Sequence, residues 1–184
     1  MDNIIQFLEY IFLGLVQGFT EPLPISSSGH LVIFQEFFGI RVADLNFEIF
    51  VNAGSLVAIV FYYRAYLWEL IHKTFGYVFQ CKQEFKQEFN YVLLLVVGVL
   101  PAGLIGFFFK TEIETTFKSL IMVGFALIIT SFALNFVSNE AVSEQSKSEV
   151  NLKDAVVIGV FQVFALIPGI SRSGSTMVGG LKRK

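Results

Sequence analysis

Residues 21–30 read EPLPISSSGH, between the apolar arms IFLGLVQGFT and LVIFQEFFGI. A carboxylate, two prolines, three serines and a histidine inside otherwise lipid-compatible sequence constrain the fold more than any other feature. The prolines break a helix, and a broken backbone at membrane depth is tolerated only where protein or water satisfies its polar groups. A Glu at such a depth needs a partner or a task. The stretch is therefore expected to line a polar cavity, not to face lipid.

The surrounding chain supports a membrane setting. Of 184 residues, 54% are hydrophobic, 22 are Phe and only 15% are charged. Soluble domains carry roughly 25% charged residues. A net charge of −2 supplies no field for nucleic acid. Cys81 is the single cysteine, which excludes an internal disulfide. The N-terminal MDNIIQFLEYIF has no Lys or Arg, so it reads as a retained segment and not a signal peptide.

Apolar runs outline the elements. Ile4–Thr20 ends at Pro22 and Pro24, and Leu31–Ile40 is too short to cross a bilayer, which takes ~20 residues. Leu45–Tyr63, Tyr91–Phe109 and Ser119–Val137 are expected to span, with Pro101 inside the second. Ala155–Ile167 ends at Pro168–Gly169. Arg64–Asn90 and Ser138–Asp154 read as watery loops. Arg64, Lys73, Lys82 and Lys86 place the first loop in the cytoplasm, which puts the N-terminus and the first hairpin's open end outside; Lys147 and Lys153 add little.

A shift of 145 residues lays GLVQGFTEPLPISSSG (14–29) over GVFQVFALIPGISRSG (159–174) without a gap. The identical pairs are Gly14/Gly159, Gln17/Gln162, Phe19/Phe164, Ile25/Ile170, Ser26/Ser171, Ser28/Ser173 and Gly29/Gly174. Three spans between two hairpins, an odd number, make the second hairpin enter from the opposite face. The expected fold is therefore an all-α integral membrane protein with an inverted-topology repeat and two re-entrant helical hairpins meeting near the midplane. It forms one membrane domain over 1–184. The first repeat covers 1–137, with its hairpin at 4–40 and spans at 45–63, 91–109 and 119–137. A second repeat begins at 155–184.

Each break precedes a helix start, so free N–H groups and positive dipole ends suit an anion, phosphate above all. Ser26, Ser28, Gly29, Ser171, Ser173, Gly174 and Thr176 form the candidate phosphate-binding set. The copies differ where chemistry would sit. Glu21, Ser27 and His30 in the first stand opposite Leu166, Arg172 and Ser175 in the second. Glu21 and His30 are acid/base or metal-binding groups, and either Ser27 or His30 can be the nucleophile. Arg172 can hold phosphate oxygens with a forked contact. Structural readings stand beside these: Ser26 and Ser28 as helix caps, His30 as an interior histidine, Glu21–Arg172 as an ion pair, and His72 as a solvated side chain. Glu48 is either interfacial or a support for the site.

QGFTEPLPISSSGH, PGISRSGST and FEIFVNAGSLVAIV together resemble the bacitracin-resistance family of undecaprenyl-diphosphate phosphatases, with Asn52 where that family usually has Gln. The resemblance covers the whole chain. It implies a multi-pass enzyme of the bacterial cytoplasmic membrane that hydrolyses a polyprenyl diphosphate lipid, its active site facing outside. It also implies a divalent cation, Mg or Ca, with Gln17 and Glu21 as candidate ligands, and Glu21, Ser27, His30 and Arg172 as catalytic residues. The chain ends at GGLKRK, where the second hairpin's outgoing arm is expected to start; the repeat predicts about 280 residues for a complete form, without which the protein is expected to be unstable and inactive. Membrane lipid is the other expected partner, and a homo-oligomer is left open. An acid-phosphatase-like reading fails because SRSGSTMVGGLKRK lacks the following His and Asp. A transporter or flippase for an anionic lipid or solute is the non-enzymatic rival.

Overall fold

A computed structural model describes residues 2–40, 45–117, 119–141 and 150–183. Its described residues form helices α1 (Asp2–Thr20), α2 (Ser27–Phe38), α3 (Leu45–Tyr62), α4 (Arg64–Gln80), α5 (Lys86–Phe117), α6 (Leu120–Ala141), α7 (Leu152–Phe164) and α8 (Arg172–Leu181), with a 3-10 turn at Gln83–Phe85 and no strand. α5 and α6 carry segments long and apolar enough to cross a bilayer, Gln83–Phe109 and Leu120–Asn139. α3 and α4 reach that length only as a pair bent by 76°. Large side chains such as Phe19, Phe50, Phe107 and Phe132 are exposed. Apolar surface on this scale suits a lipid solvent.

α1 and α2 fold back on each other. Phe12 meets Phe34 and Phe38 edge-on at 5.6 and 5.2 Å, and Leu13, Leu31 and Ile40 are buried at the centre of this hairpin. Gly39 ends α2 in the left-handed conformation, φ 65°, returning its N–H to Gln35 and Glu36 carbonyls. α7 and α8 make the matching hairpin. A capping box starts α7: Asn151 accepts from the Asp154 N–H, and Asp154 accepts from the Asn151 N–H. Asp154 also receives the Arg183 Nε at 2.8 Å, tying the start of α7 to the end of α8.

One expectation is corrected. Arg64–Asn90 is not a loop: α4 fills most of it, and α5 begins at Lys86, well before Tyr91. The reason is amphipathic spacing hidden by charge. Leu67, Leu70, Lys73, Thr74, Gly76 and Tyr77 fall on one helical face and are the sheltered positions. Lys73 bonds Glu69 one turn back and Glu88 of α5, while Tyr77 stacks on Phe89 at 4.8 Å. The helix is thus held against the foot of α5. Pro101 lies inside α5 as expected, whereas the helix departs from regular geometry at Phe109. In the Ser138–Asp154 stretch, residues 142–149, including Lys147, lie outside the described residues.

Candidate active site

The two breaks touch. Gly29, in the first turn of α2, approaches Gly169 so closely that a Cβ there would lie 2.9 Å from the Gly169 Cα. Both rest on one stripe of α6. Leu127 lies under Gly29, Val123 and Ala126 under Gly169, and Leu134 beside Gly174. Gly169 itself takes φ 98°, a conformation side chains disfavour. With Cβ positions this crowded, only glycine lets the two backbones meet.

The helix starts repeat each other bond for bond. Ser26 Oγ accepts from the Gly29 N–H at 3.4 Å, and Ser171 Oγ accepts from the Gly174 N–H at 3.1 Å. Ser26 and Ser28 hydroxyls pair at 3.4 Å, and those of Ser171 and Ser173 at 3.2 Å. Ser26 and Ser171 are therefore caps, both buried. The routes into the caps differ. Ser171 is extended, whereas Ser26 is left-handed with φ 68°, strain of the kind found at functional sites. Thr176 returns its hydroxyl to the Ser173 carbonyl.

Copy one assembles a polar chain. Ser27 Oγ donates to Glu21 Oε2 in a short contact. Gln17 Nε2 donates to the same oxygen at 2.9 Å and to Asn52 Oδ1 of α3 at 2.7 Å. Gln17 is 1% exposed, so its amide is fixed from both sides. His30 Nδ1 lies 2.8 Å from the Ser26 carbonyl. A carbonyl can only accept, so Nδ1 carries a proton, and the neutral tautomer that fits this bond has a bare Nε2. Glu21 is exposed, while Ser27 and His30 are half-buried. Residues 27 and 30 share a face of α2.

Copy two supplies the cation. Arg172 is the first residue of α8, exposed, and makes no hydrogen bond or ion pair among the described residues. The Glu21–Arg172 ion pair is thus absent there, leaving five guanidinium N–H donors for a ligand. Leu166, at the position matching Glu21, packs against Gly106 of α5. His72 is exposed, on α4.

A divalent cation would find only part of a ligand set here. No three His, Cys, Asp or Glu side chains converge among the described residues. Gln17 turns its N–H, not its oxygen, toward Glu21, and its own Oε1 is buried without a partner. In this arrangement the two are not joint ligands. Of the two candidates, the Glu21 carboxylate keeps the oxygen-donor chemistry that a hard cation such as Mg²⁺ takes.

Sequence reading did not find Asn52 as the anchor of Gln17, nor Thr130 of α6, whose hydroxyl bonds both sides of the second break. The first had a signal in the unusual Asn. The second had none beyond being a polar residue in a span.

The model of the family described as bacitracin resistance protein BacA matches residues 10–184. The chain is similar to undecaprenyl-diphosphatase 2 of Bacillus thuringiensis, 40% identical over 181 residues, 98% of this chain and 67% of the relative. Undecaprenyl-diphosphatase 1 of Bacillus licheniformis is 42% identical over 179 residues, 97% and 66% of the two chains. That of Halalkalibacterium halodurans is 43% identical over 174 residues, 95% and 63%.

Proposed function

The chain belongs to the bacitracin resistance protein BacA family, and from that premise we propose how its paired hairpins hydrolyse undecaprenyl diphosphate to undecaprenyl phosphate and inorganic phosphate. The protein is a membrane hydrolase, and its reaction returns the lipid carrier to cell-wall synthesis while depleting the target of bacitracin.

The observation that carries the mechanism is the contact of the two breaks, with a hydroxyl–carboxylate pair on one side and, on the other, a guanidinium without a partner among the described residues. The diphosphate enters between the α2 and α8 starts, where N–H groups and dipoles favour anions. Arg172 grips the terminal phosphoryl oxygens. Ser27 Oγ passes its proton to Glu21 as it attacks the terminal phosphorus. The P–O bond to the lipid phosphate breaks, and undecaprenyl phosphate leaves with the bridging oxygen. Water, giving a proton to His30 Nε2, then displaces Ser27, which regains its proton from Glu21 as phosphate departs. A divalent cation on Glu21 would neutralise phosphate charge.

The same reading treats the hairpins as re-entrant and related by inverted topology, entering from opposite faces, with the site where they meet open to the outside of the cytoplasmic membrane. Its support is the duplicated capping geometry and the mutual contact of the breaks. Phosphate release from undecaprenyl diphosphate by the purified protein tests the function. A carrier or flippase would bind the headgroup and release none.

A further inference from the structure

The second break needs an outside partner for its backbone, and α6 supplies one. Among the described residues of α6, Thr130 is the buried polar side chain, 4% exposed. Its hydroxyl donates to the Gly169 carbonyl at 2.8 Å and accepts from the Ser171 N–H at 3.0 Å. One oxygen thus closes both sides of the gap between Pro168–Gly169 and the start of α8. Neither backbone group has water to turn to at that burial, so each needs this bond.

The residue next along the chain from Ser171 is Arg172. We propose that Thr130 is a positioning residue for the anion site: it fixes the entry into α8 and thereby the origin of the Arg172 side chain. The inference rests on the reading of Arg172 as the phosphate grip. Copy one has no equivalent bond from α6 among the described residues. There Leu127 meets Gly29 through apolar contact, and the Pro24 carbonyl and Ser26 N–H, which correspond to the two partners of Thr130, take no bond from it. The polar bond from α6 therefore falls on the copy that carries the arginine. Without it Gly169 and Ser171 would rotate to find other partners, and displacements of ~1 Å at a reacting centre can cost about a hundredfold.

The test uses pyrophosphate as probe, titrated calorimetrically into the purified protein in detergent, so that binding is read independently of turnover. Arg172→Ala is expected to abolish binding. Thr130→Val, which keeps the shape and loses the hydroxyl, is expected to weaken it about tenfold or more, and Thr130→Ser to stay within about threefold of wild type. If Arg172→Ala binds normally, the parent reading falls and this inference with it. If Arg172→Ala fails to bind while Thr130→Val binds like wild type, the inference alone is overturned. Should Thr130→Val fail to fold, Thr130→Ser still decides: a loss of binding with the hydroxyl present contradicts the role given to it.

Discussion

The two hairpins share a backbone and differ in what surrounds it. Their caps, hydroxyl pairs and helix starts coincide at positions 145 residues apart. Yet a methyl group added at Gly14 of the first would meet nothing within 4 Å, while the same addition at Gly159 would lie 2.7 Å from the Gly98 carbonyl of α5. Glu21 stands exposed where its counterpart Leu166 is packed on α5. The first copy holds itself together through its own side chains, Gln17, Glu21, Ser27 and His30, with help from Asn52. The second has its own Asp154–Arg183 tie and leans further on its neighbours, through Thr130 of α6 and Gly98 of α5. On the proposed reading, duplication sets where the backbone meets an anion, and divergence assigns chemistry to one copy and grip to the other.

Substitutions at five positions can break or sharpen that contrast. Arg172→Ala should have the largest effect, a loss of about 10³-fold or more in phosphate release, because the transition-state charge loses its grip. Arg172→Lys should recover little, since one ammonium cannot form the fork. A lysine variant with wild-type kcat/KM would show that the second copy contributes no bidentate contact.

Glu21→Gln should cost about 10²-fold or more in kcat, as removal of a proton acceptor does, with pyrophosphate binding reduced far less. Equal losses in binding and turnover would move Glu21 from the chemical side to the gripping side.

Asn52→Leu removes the acceptor that orients the Gln17 amide. A single hydrogen bond of about 1 kcal/mol corresponds to roughly fivefold in kcat, and Asn52→Asp, which still accepts, should keep most activity. Equal losses in the two variants would remove Asn52 from the polar chain.

The effects expected to touch turnover least are on stability. Gly159→Ala meets a backbone carbonyl that cannot yield, and should lower thermal stability by about 1–3 kcal/mol. Gly14→Ala meets open space and should be neutral or stabilise by about 0.5–1 kcal/mol. Identical melting shifts would mean that the helices do not support the two copies differently.

Much of this is legible in the residues alone. The prolines and serines locate both breaks, and the repeat pairs each residue of one with its counterpart in the other. Apolar runs outline α3, α5 and α6 to within a few residues at most ends. What escapes depends on contacts far apart in sequence. α4 is hidden because Arg64, Glu69 and Lys73 make its average polar, while its apolar face emerges only at helical spacing. Gln17 and Asn52 are 35 residues apart, and Thr130 lies 39 from the carbonyl it serves. No local pattern marks a threonine within FALIITSFAL as the one that closes a gap elsewhere. The hydrogen bond that sets the His30 tautomer is likewise invisible in GH, because it needs the left-handed turn at Ser26.

The central claim is that the two hairpins act on one phosphoryl group, and a double-mutant cycle tests it most directly. Phosphate release from undecaprenyl diphosphate would be measured for Glu21→Gln, Arg172→Lys and the pair combined. Groups working as a unit are strongly non-additive, so the double variant should be scarcely slower than the worse single one. Losses that simply multiply would contradict the account, because they would mean that the carboxylate of one hairpin and the guanidinium of the other act independently.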